Sequence, residues 1–200
     1  MRKLYRNTSI KVFFIGIVIY MLFEIILFAV ATYNTQSEVN VLYRKSFAIQ
    51  HQIDNVFQST ITISDGYLSF MTSNLDATKE DTETFLDHLL FYDENYVKNI
   101  ATIENTSIKF NYPYEENQSS IGIDLSSVEG QRDDVLFVRD NLEPLFDGPI
   151  DLVQGGKAFI IRIPILDGEE YWGQISTVID ADQFIQIIKS EADINNIKVR

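Results

Sequence analysis

Residues 157–180, KAFIIRIPILDGEEYWGQISTVID, determine the fold that the sequence predicts. Two runs rich in β-branched and aromatic residues flank Asp167-Gly168, a pair that favours a tight turn. Upstream, Gly155-Gly156 separates the first run from IDLVQ at residues 150–154 in the same way. Short β-rich runs joined by such turns predict an antiparallel meander.

The residues before the meander predict further strands and a helix. Residues 129–146 carry apolar side chains at helical spacing, and the pattern stops at Pro144 and Gly148, which predicts a surface helix on the sheet. Short apolar stretches between turns predict strands at VKNIATI (97–103), SIKFNYPY (107–114) and IGIDL (121–125).

The residues after the meander predict one more helix and the start of a strand. ADQFIQIIKSEA at residues 181–192 is typical of a helix, with Asp180 as its N-cap. INNIKVR at residues 194–200 resembles the beginning of a strand. We therefore expect the domain to be incomplete at its C-terminal end.

The segment from Val12 to Tyr33, VFFIGIVIYMLFEIILFAVATY, predicts a transmembrane helix. Glu24 is its only charged residue, and at about 1.5 Å per residue the segment is long enough to cross a bilayer core. All charged residues before Val12 are basic, which predicts a cytoplasmic N-terminus and a body outside the membrane. The rival interpretation is a cleaved signal peptide, because Ala29-Val30-Ala31 has the form that signal peptidase accepts.

Beyond the apolar segment, the pattern predicts a long amphipathic helix. Side chains from Val39 to Ile63 follow steps of three and four residues. This helix is expected to pack on its own domain, to form a homodimer stalk with a second copy, or both. Polar turn formers at residues 72–83 lead into a second predicted helix, whose apolar face includes Phe85 and Leu89.

The composition excludes several classes of protein. The chain has no Cys and only two His, which excludes disulfide frameworks, thiolate zinc sites and Cys nucleophiles, and we expect no metal site or cofactor. A net charge of −13 argues against binding nucleic acid. No Ser-His-Asp set or activated nucleophile is recognisable, so we expect no catalytic residues here, and any catalytic output domain would lie beyond residue 200.

Four motifs occur in order between Tyr112 and Asp180: YPYEENQSSIGIDL (112–125), Arg132, GPIDLVQGGKAFIIRIPI (148–165) and YWGQISTVID (171–180). As a set they resemble the CHASE domain, the extracytoplasmic sensor of bacterial diguanylate cyclases, histidine kinases and plant cytokinin receptors. The resemblance covers roughly residues 45–200. It implies an α+β fold in which a transmembrane helix continues into a long stalk helix, followed by a PAS-like mixed antiparallel sheet with flanking helices.

With that resemblance, the chain divides into four segments. Residues 1–11 are the expected cytoplasmic N-terminus, residues 12–33 the transmembrane helix and residues 34–96 the helical stalk region. Residues 97–200 are the expected PAS-like sensor domain, with its ligand in the membrane-distal part. The expected location is the inner or plasma membrane, crossed once within these residues, with the sensor domain extracytoplasmic.

The resemblance also implies ligand-contacting positions, which are Asp124, Val153 and Arg162, with Tyr112 near the cavity as either a ligand contact or a core residue. The residues give an independent reason for two of them, because an acid and a guanidinium in apolar strands are costly to bury without partners. Asp124 and Arg162 either pair with each other, or Arg162 binds a ligand carboxylate while Asp124 receives an amine.

The sequence therefore predicts a membrane-anchored sensor that binds a small polar or anionic metabolite and signals across the membrane. The output domain is expected to be a diguanylate cyclase or a histidine kinase. The alternative function is a dimerisation or protein-interaction module of the cell envelope that needs no ligand.

Overall fold

The computed structural model describes residues 2–90, 96–152 and 155–194 of the chain. Side chains are described for residues 12–90, 96–152, 155–190 and 192. Val153 and most of the strand predicted at residues 194–200 lie outside the described residues.

The first element is α1, which runs from Arg2 to Ser73. The chain divides into two compact units, Met1–Ala48 and Ile49–Arg200. In the first unit, the apolar side chains between Val12 and Tyr33 are exposed, and this part of α1 is long and apolar enough to be a candidate membrane span.

The second unit contains a sheet flanked by helices. The remaining helices are α2 (Lys79–Leu89), α3 (Tyr114–Asn117), α4 (Arg132–Asn141) and α5 (Ala181–Ile194). The strands are β1 (Val97–Glu104), β2 (Ser107–Tyr112), β3 (Leu145–Asp151), β4 (Lys157–Asp167) and β5 (Glu170–Asp180).

The sheet is antiparallel, with the strand order β2-β1-β5-β4-β3. β3, β4 and β5 form the predicted meander, and β5 in the centre also pairs with β1. At the centre, a Cβ on Gly173 would lie 2.1 Å from the Ile103 carbonyl oxygen, so the β1–β5 approach requires glycine there. The predicted α+β fold class, with a long N-terminal helix before the sheet, is confirmed.

One face of the sheet packs on α1 and α2. Its core joins Ile63, Tyr67, Met71 and Leu86 of the helices to Ile100, Phe110, Ile165 and Ile175 of the strands. Burying each such aliphatic side chain contributes about 1.5–3 kcal/mol, so this layer fixes α1 firmly to the sheet.

The opposite face is covered by residues 118–142, which contain α4 and two short 3-10 helices, whereas Tyr114 of α3 packs on the α1 side. Leu125 and Val135 of this cover pack on Ala101, Ile103 and Ile108 of the sheet. Because both faces are covered, β1 is buried on both sides, and its residues from Asn99 to Ile103 are all buried.

Two predicted elements differ from the structure. IGIDL is not a strand of the sheet: Asp124 makes only an isolated bridge to Ser107, and Leu125–Ser127 form a 3-10 helix. The helix predicted at 129–146 is shorter, because Leu142 adopts a left-handed C-cap (φ 56°) and residues from Leu145 onward pair with β4.

The helix predictions flanking the meander are confirmed. α5 begins after Asp180, whose Oδ1 accepts hydrogen bonds from the backbone N–H groups of Asp182 and Gln183. α2 begins with a capping box in which Thr78 and Asp81 exchange hydrogen bonds.

Candidate functional site

A small cavity lies between the sheet and its cover, on the face opposite α1. The cavity volume is about 30 Å³, and a single water needs roughly 10–15 Å³. The cavity therefore has room for one to a few waters in this conformation. Its polar lining residues are Asn99, Asn111, Ser120, Gln131 and Ser176. Its apolar lining residues are Ala101, Ile103, Ile108, Ile123, Leu125, Leu152, Ile160 and Val178.

The floor of the cavity follows from the strand register. Asn111 pairs with Ala101, Ala101 with Ser176, and Ser176 with Arg162, so these residues form one row across β2, β1, β5 and β4. With strands about 4.8 Å apart, the row is about 14 Å long. The two small side chains, Ala101 and Ser176, lie in the middle of the row, which leaves space between the polar ends.

Arg162 is the most unusual residue of this row, because it is a cation with only 1% of its surface exposed. Its guanidinium donates to Ser176 Oγ at 3.1 Å and to Gln131 Oε1 at 3.0 Å. Its Nε–H is buried without a partner, and it forms no ion pair with a described residue. Burial lowers the pKa of Arg162 to about 10, as the loss of water disfavours its charged form.

Other buried polar groups on this face also lack partners among the described residues. They are Asn99 Nδ2, Asn111 Oδ1 and both side-chain amide atoms of Gln174. Each of the three residues is at most 2% exposed. An unpaired buried polar group costs about 1–3 kcal/mol, so these four atoms leave hydrogen-bonding capacity unused on the cavity face of the sheet.

Two carboxylates lie near the Arg162 end of the row. Asp134, in the first turn of α4, lies within electrostatic reach of Asp147 of β3 and of Arg162, and its Oδ2 is buried without a partner among the described residues. Burial and the neighbouring Asp147 raise the pKa of Asp134, while the attraction of Arg162 acts in the opposite direction.

Asp124 lies at the surface, outside the cavity. Its Oδ1 accepts hydrogen bonds from the backbone N–H of Ser126 at 3.0 Å and from Ser126 Oγ at 2.7 Å. These bonds, with one from Thr106, lower the pKa of Asp124. Of the two alternatives for Asp124, the buried pairing with Arg162 is corrected: the carboxylate is an exposed N-cap of a 3-10 helix and binds Ser126.

Tyr112 lies on the other face of the sheet. It pairs with Ile100 of the α1 side, packs against that core, and donates a hydrogen bond from its hydroxyl to Asp87 Oδ1 at 2.7 Å. Burial and the adjacent Asp87 raise the pKa of Tyr112 to about 12. Between the two interpretations of Tyr112, the geometry matches a residue that packs α2 on the sheet.

The loop that contains Val153 adjoins the cavity through Leu152. Gly155 and Gly156 both have positive φ, at 91° and 86°, and the Gly155 N–H donates to the Leu152 carbonyl. These glycines therefore form the hairpin turn. The position of Val153 lies outside the described residues, so its contact with ligand stays a prediction.

The sequence singles out Arg162, whose contact with a ligand stays a prediction, but not the amide residues on the same face of the sheet. Asn99 and Asn111 stand inside strand-forming runs, where Asn is disfavoured unless its side chain has a specific role. An Asn within a strand-forming run is therefore a sequence signal for a residue with a specific role. Gln131 and Asp134 could not be found in this way, since polar residues are ordinary at the start of a surface helix.

The family comparison agrees with this architecture. The CHASE domain model matches residues 73–200. Among curated protein sequences, no significant match to the chain was found.

Solved structures of sensor domains share the fold. An extracellular ligand binding receptor from Desulfohalobium retbaense has a TM-score of 0.62 at 19% identity over 74% of this chain and 26% of its own. The extracellular domain of rpHK1S-Z16, designated a histidine kinase, has a TM-score of 0.61 at 17% identity over 78% of this chain and 62% of its own. The ligand binding domain of the Pseudomonas aeruginosa amino acid chemoreceptor PctC, in complex with GABA, has a TM-score of 0.53 at 12% identity over 74% of this chain and 63% of its own.

The chain thus spans about a quarter of the first of these proteins and under two thirds of the other two. At these identities the likeness shows a shared fold. The family model, in contrast, covers more than half of the chain. On that match, the chain belongs to the CHASE domain family, whose members are sensory domains.

Proposed function

We propose that the domain binds a small carboxylate-bearing metabolite in the cavity over the sheet and acts as an extracytoplasmic sensor. The observation that carries this proposal is Arg162, a fully buried guanidinium with no ion pair to a described residue and an unpartnered Nε–H. A planar carboxylate is the partner that fits such a fork, because it accepts two parallel hydrogen bonds.

The energetic argument favours a ligand over a structural role. Removing a cation from water costs several kcal/mol, which a protein recovers only with a well-placed anion and further hydrogen bonds. Ser176 and Gln131 give Arg162 two neutral acceptors, but neither supplies a negative charge. A bound carboxylate would supply that charge and would give the unpartnered Nε–H an acceptor.

The size of the cavity indicates how the ligand acts. Because about 30 Å³ is too small for a metabolite, the cover formed by residues 118–142 must move outward to admit one. A ligand that binds the opened arrangement better than the closed one shifts the population toward it. This differential affinity is the proposed input of the sensor.

The output of the sensor is proposed to pass through α1. Each strand contributes residues to both the cavity face and the α1 face of the sheet. A displacement of β5 by a ligand in the cavity would therefore also displace the β5 residues that contact α1. From α1 the signal would reach an output domain such as a diguanylate cyclase or a histidine kinase.

The chemoreceptor PctC supports a carboxylate ligand through its fold and its bound molecule. It shares the fold and is described as binding GABA, a molecule with a carboxylate and an amine. A ligand of that size and chemistry would match the polar groups around Arg162.

The proposal is tested by titrating the full chain in lipid nanodiscs with a panel of small carboxylates and amino acids, using calorimetry and thermal unfolding. We expect at least one compound to bind the unmodified chain, and Arg162→Met to weaken it by about 30-fold or more, as loss of a charged hydrogen-bonded partner does. The matched control is Arg139→Met, since Arg139 is a half-exposed arginine of α4 paired with Asp140.

Two results would refute the proposal. One is that no compound stabilises the chain. The other is that Arg162→Met and Arg139→Met weaken binding equally, which would show that the ligand lies elsewhere.

The proposed location is tested separately, and the lack of Cys in the chain makes this simple. We propose that residues 12–33 span the membrane with the N-terminus inside. A single cysteine at exposed Ser127 should react with a membrane-impermeant maleimide in whole cells, whereas one at Asn7 should react only after lysis. The reverse pattern would contradict an extracytoplasmic sensor.

We also propose that two copies of the chain form a homodimer through α1, and this proposal rests on a separate observation. Beyond the candidate span, Leu42, Tyr43 and Phe47 are 62%, 72% and 66% exposed. Large apolar side chains at this spacing on one helix favour pairing with an identical helix. Cysteine substitutions at Leu42 and at Arg44 should differ in oxidative cross-linking, with Leu42 linking more efficiently; equal yields would oppose the dimer.

A further inference from the structure

Two asparagines lie close together on the floor of the cavity, at the end away from Arg162. Asn99 of β1 and Asn111 of β2 both line the cavity, and each is 2% exposed. Asn111 pairs with Ala101, two residues from Asn99 on the same strand, so the asparagines are diagonal neighbours on one face. Diagonal neighbours are about 7–8 Å apart, which lets two side chains meet around one small group. Because both residues belong to strands of the sheet, their spacing does not depend on the position of the cover.

The two side chains leave one donor group and one acceptor unused. Asn99 Nδ2 has no partner among the described residues, and the same is true of Asn111 Oδ1. Hydrogen bonds fix the orientation of the Asn111 amide, because its Nδ2 donates to Ser120 Oγ at 2.9 Å and the Ser120 hydroxyl donates to the Asn117 carbonyl at 2.7 Å. Since the Ser120 proton is used there, Asn111 must present its NH₂ group to Ser120, which leaves its oxygen free. The cavity floor therefore offers an N–H donor and a carbonyl acceptor to the same group.

The remaining lining residues determine what that group can be. Among the described residues that line the cavity, no side chain carries a charge. A second charged group on the ligand would lose its water there without gaining a counter-ion from the lining. An ammonium group has only donors and cannot serve Asn99, whereas a carboxylate has only acceptors and cannot serve Asn111. A hydroxyl or a carboxamide both accepts and donates without a charge, so it satisfies both asparagines.

We propose that Asn99 and Asn111 form a subsite for an uncharged hydroxyl or carboxamide group of the ligand whose carboxylate binds Arg162. The inference rests on the proposed function and names the ligand class, which is a short-chain hydroxy acid or acid amide. The Asn99 N–H donates to the oxygen of that group, and the O–H or N–H of the group donates to Asn111 Oδ1.

The strand spacing sets the length of the ligand. The guanidinium of Arg162 reaches Ser176 on β5 at 3.1 Å, so the carboxylate is bound near β5. The space between β1 and β2 lies one and a half strand spacings from β5, or about 7 Å. The asparagine side chains and the carboxylate itself cover part of that distance, so an acid of about four or five carbons spans the rest.

Water is the alternative occupant of the subsite. The cavity has room for one to a few waters, and one of them can accept from Asn99 and donate to Asn111. A ligand hydroxyl that displaces this water reproduces both hydrogen bonds, whereas a methyl group loses them. The affinities of matched acids therefore distinguish a ligand subsite from a hydration site.

The experiment titrates the full chain in lipid nanodiscs with acids that share one chain length and differ only in the terminal group. They are 4-hydroxybutyrate, succinamate, butyrate, γ-aminobutyrate and succinate, together with the homologues that are one carbon longer. We expect the hydroxy acid or the amide acid to bind at least about tenfold more tightly than the acid that ends in a methyl group, as measured by calorimetry. The acids that end in an ammonium or a second carboxylate should bind more weakly than the uncharged pair.

Asn99→Ala tests the donor without filling the cavity. It should weaken 4-hydroxybutyrate and succinamate by about tenfold and leave butyrate within about threefold. The matched control is Asn141→Ala, since Asn141 is an exposed asparagine at the end of α4 and should leave every acid unchanged. A folding defect of Asn99→Ala would weaken butyrate as well, and the preference of the unmodified chain then decides the question.

Asn111→Asp tests the acceptor by a change of specificity. The side chain keeps its shape and gains a negative charge, which gives an ammonium group the counter-ion that the lining lacks. We expect the preference to reverse, so that this variant binds γ-aminobutyrate about tenfold more tightly than 4-hydroxybutyrate. An unchanged order of affinities would show that Asn111 does not contact the terminal group.

Each remaining outcome overturns the inference. If butyrate binds as tightly as the hydroxy acid and the amide acid, the asparagines hold water, and the proposed function survives. The same holds if γ-aminobutyrate or succinate is the tightest ligand of the unmodified chain, or if a carboxylate outside this set binds and none within it does. If no carboxylate binds, both the inference and the proposed function fail.

Discussion

The buried hydroxyls of Ser64 on α1 and Thr177 on β5 share a hydrogen bond of 2.7 Å. The residue before Thr177 is Ser176, which accepts a hydrogen bond from Arg162 on the opposite face. Successive side chains of a strand point to opposite faces, so adjacent residues of β5 contact the cavity and α1. The strand next to it repeats the arrangement, with Ala101 in the cavity and Thr102 bonded to Tyr67 of α1.

The first prediction concerns this contact between sheet and helix. Thr177→Val keeps the shape of the side chain but removes the hydroxyl, and we expect it to lower the free energy of unfolding by about 1 kcal/mol. Combined with Ser64→Ala, the loss should be smaller than the sum by about 0.5–1.5 kcal/mol, because the second change removes a partner already lost. Ligand affinity should remain unchanged.

The measurement is a double-mutant cycle by denaturant unfolding of the full chain, followed through Trp172 fluorescence. Thr62→Ala serves as the control, since Thr62 is exposed and bonds only to its own helix in the described contacts. Strict additivity of Ser64→Ala and Thr177→Val would show that the two hydroxyls are not coupled.

The second prediction separates function from stability at Arg162. Replacing a buried, unpaired charge with an apolar side chain of similar length is often neutral or stabilising by about 1–4 kcal/mol. We therefore expect Arg162→Met to weaken ligand binding by about 30-fold or more while leaving the free energy of unfolding equal or higher, as measured by thermal unfolding without ligand. A loss of more than about 3 kcal/mol, typical of a broken buried ion pair, would mean that Arg162 is structural.

The third prediction concerns Asp124, which the sequence places in the ligand site and the structure places at the surface. Asp124→Ala removes the cap of the 3-10 helix at Leu125, so we expect a loss of about 1 kcal/mol in the free energy of unfolding. Because the carboxylate does not line the cavity, affinity for any ligand should change less than about twofold, within ordinary scatter for a surface substitution. A loss of binding comparable to that of Arg162→Met would restore Asp124 to the site.

The sequence predicted the sheet well because its turns are explicit. Asp167-Gly168 and Gly155-Gly156 fix where strands end, and the apolar runs between them are long. The cover was predicted poorly for the opposite reason. IGIDL has the composition of a strand, yet the backbone N–H and carbonyl of Ile108 bond to residues 122 and 123 in an irregular connection, which no local pattern specifies.

Only part of the candidate site was predictable from the sequence. A guanidinium in FIIRIPI is anomalous in any strand, so Arg162 was identifiable from the sequence alone. Its neighbours depend on the register of the strands. Asn111, Ala101 and Ser176 lie in one row with Arg162 only after β2, β1, β5 and β4 are aligned. A shift of one residue in any strand would turn its side chains to the other face, and the sequence does not fix that choice.

The last prediction is a pH dependence of stability that arises from Asp134. Burial and Asp147 raise the pKa of this carboxyl above its ordinary value of 3.8. A group whose pKa is raised on folding stabilises the folded state fully below the unfolded pKa, and this contribution is lost as the pH rises through the folded pKa. Without ligand, the free energy of unfolding of the unmodified chain should therefore decline between about pH 4 and neutrality as Asp134 ionises beside Asp147.

Asp134→Asn should remove that decline, because the amide stays neutral and can donate a hydrogen bond to Asp147. We expect the variant and the unmodified chain to unfold at similar temperatures near pH 4, and the variant to be the more stable at pH 7. Thermal unfolding at half-unit pH steps measures the difference, with Asp133→Asn as the control for loss of a charge on α4. A difference that stays constant across the range would mean that folding does not raise the pKa of Asp134.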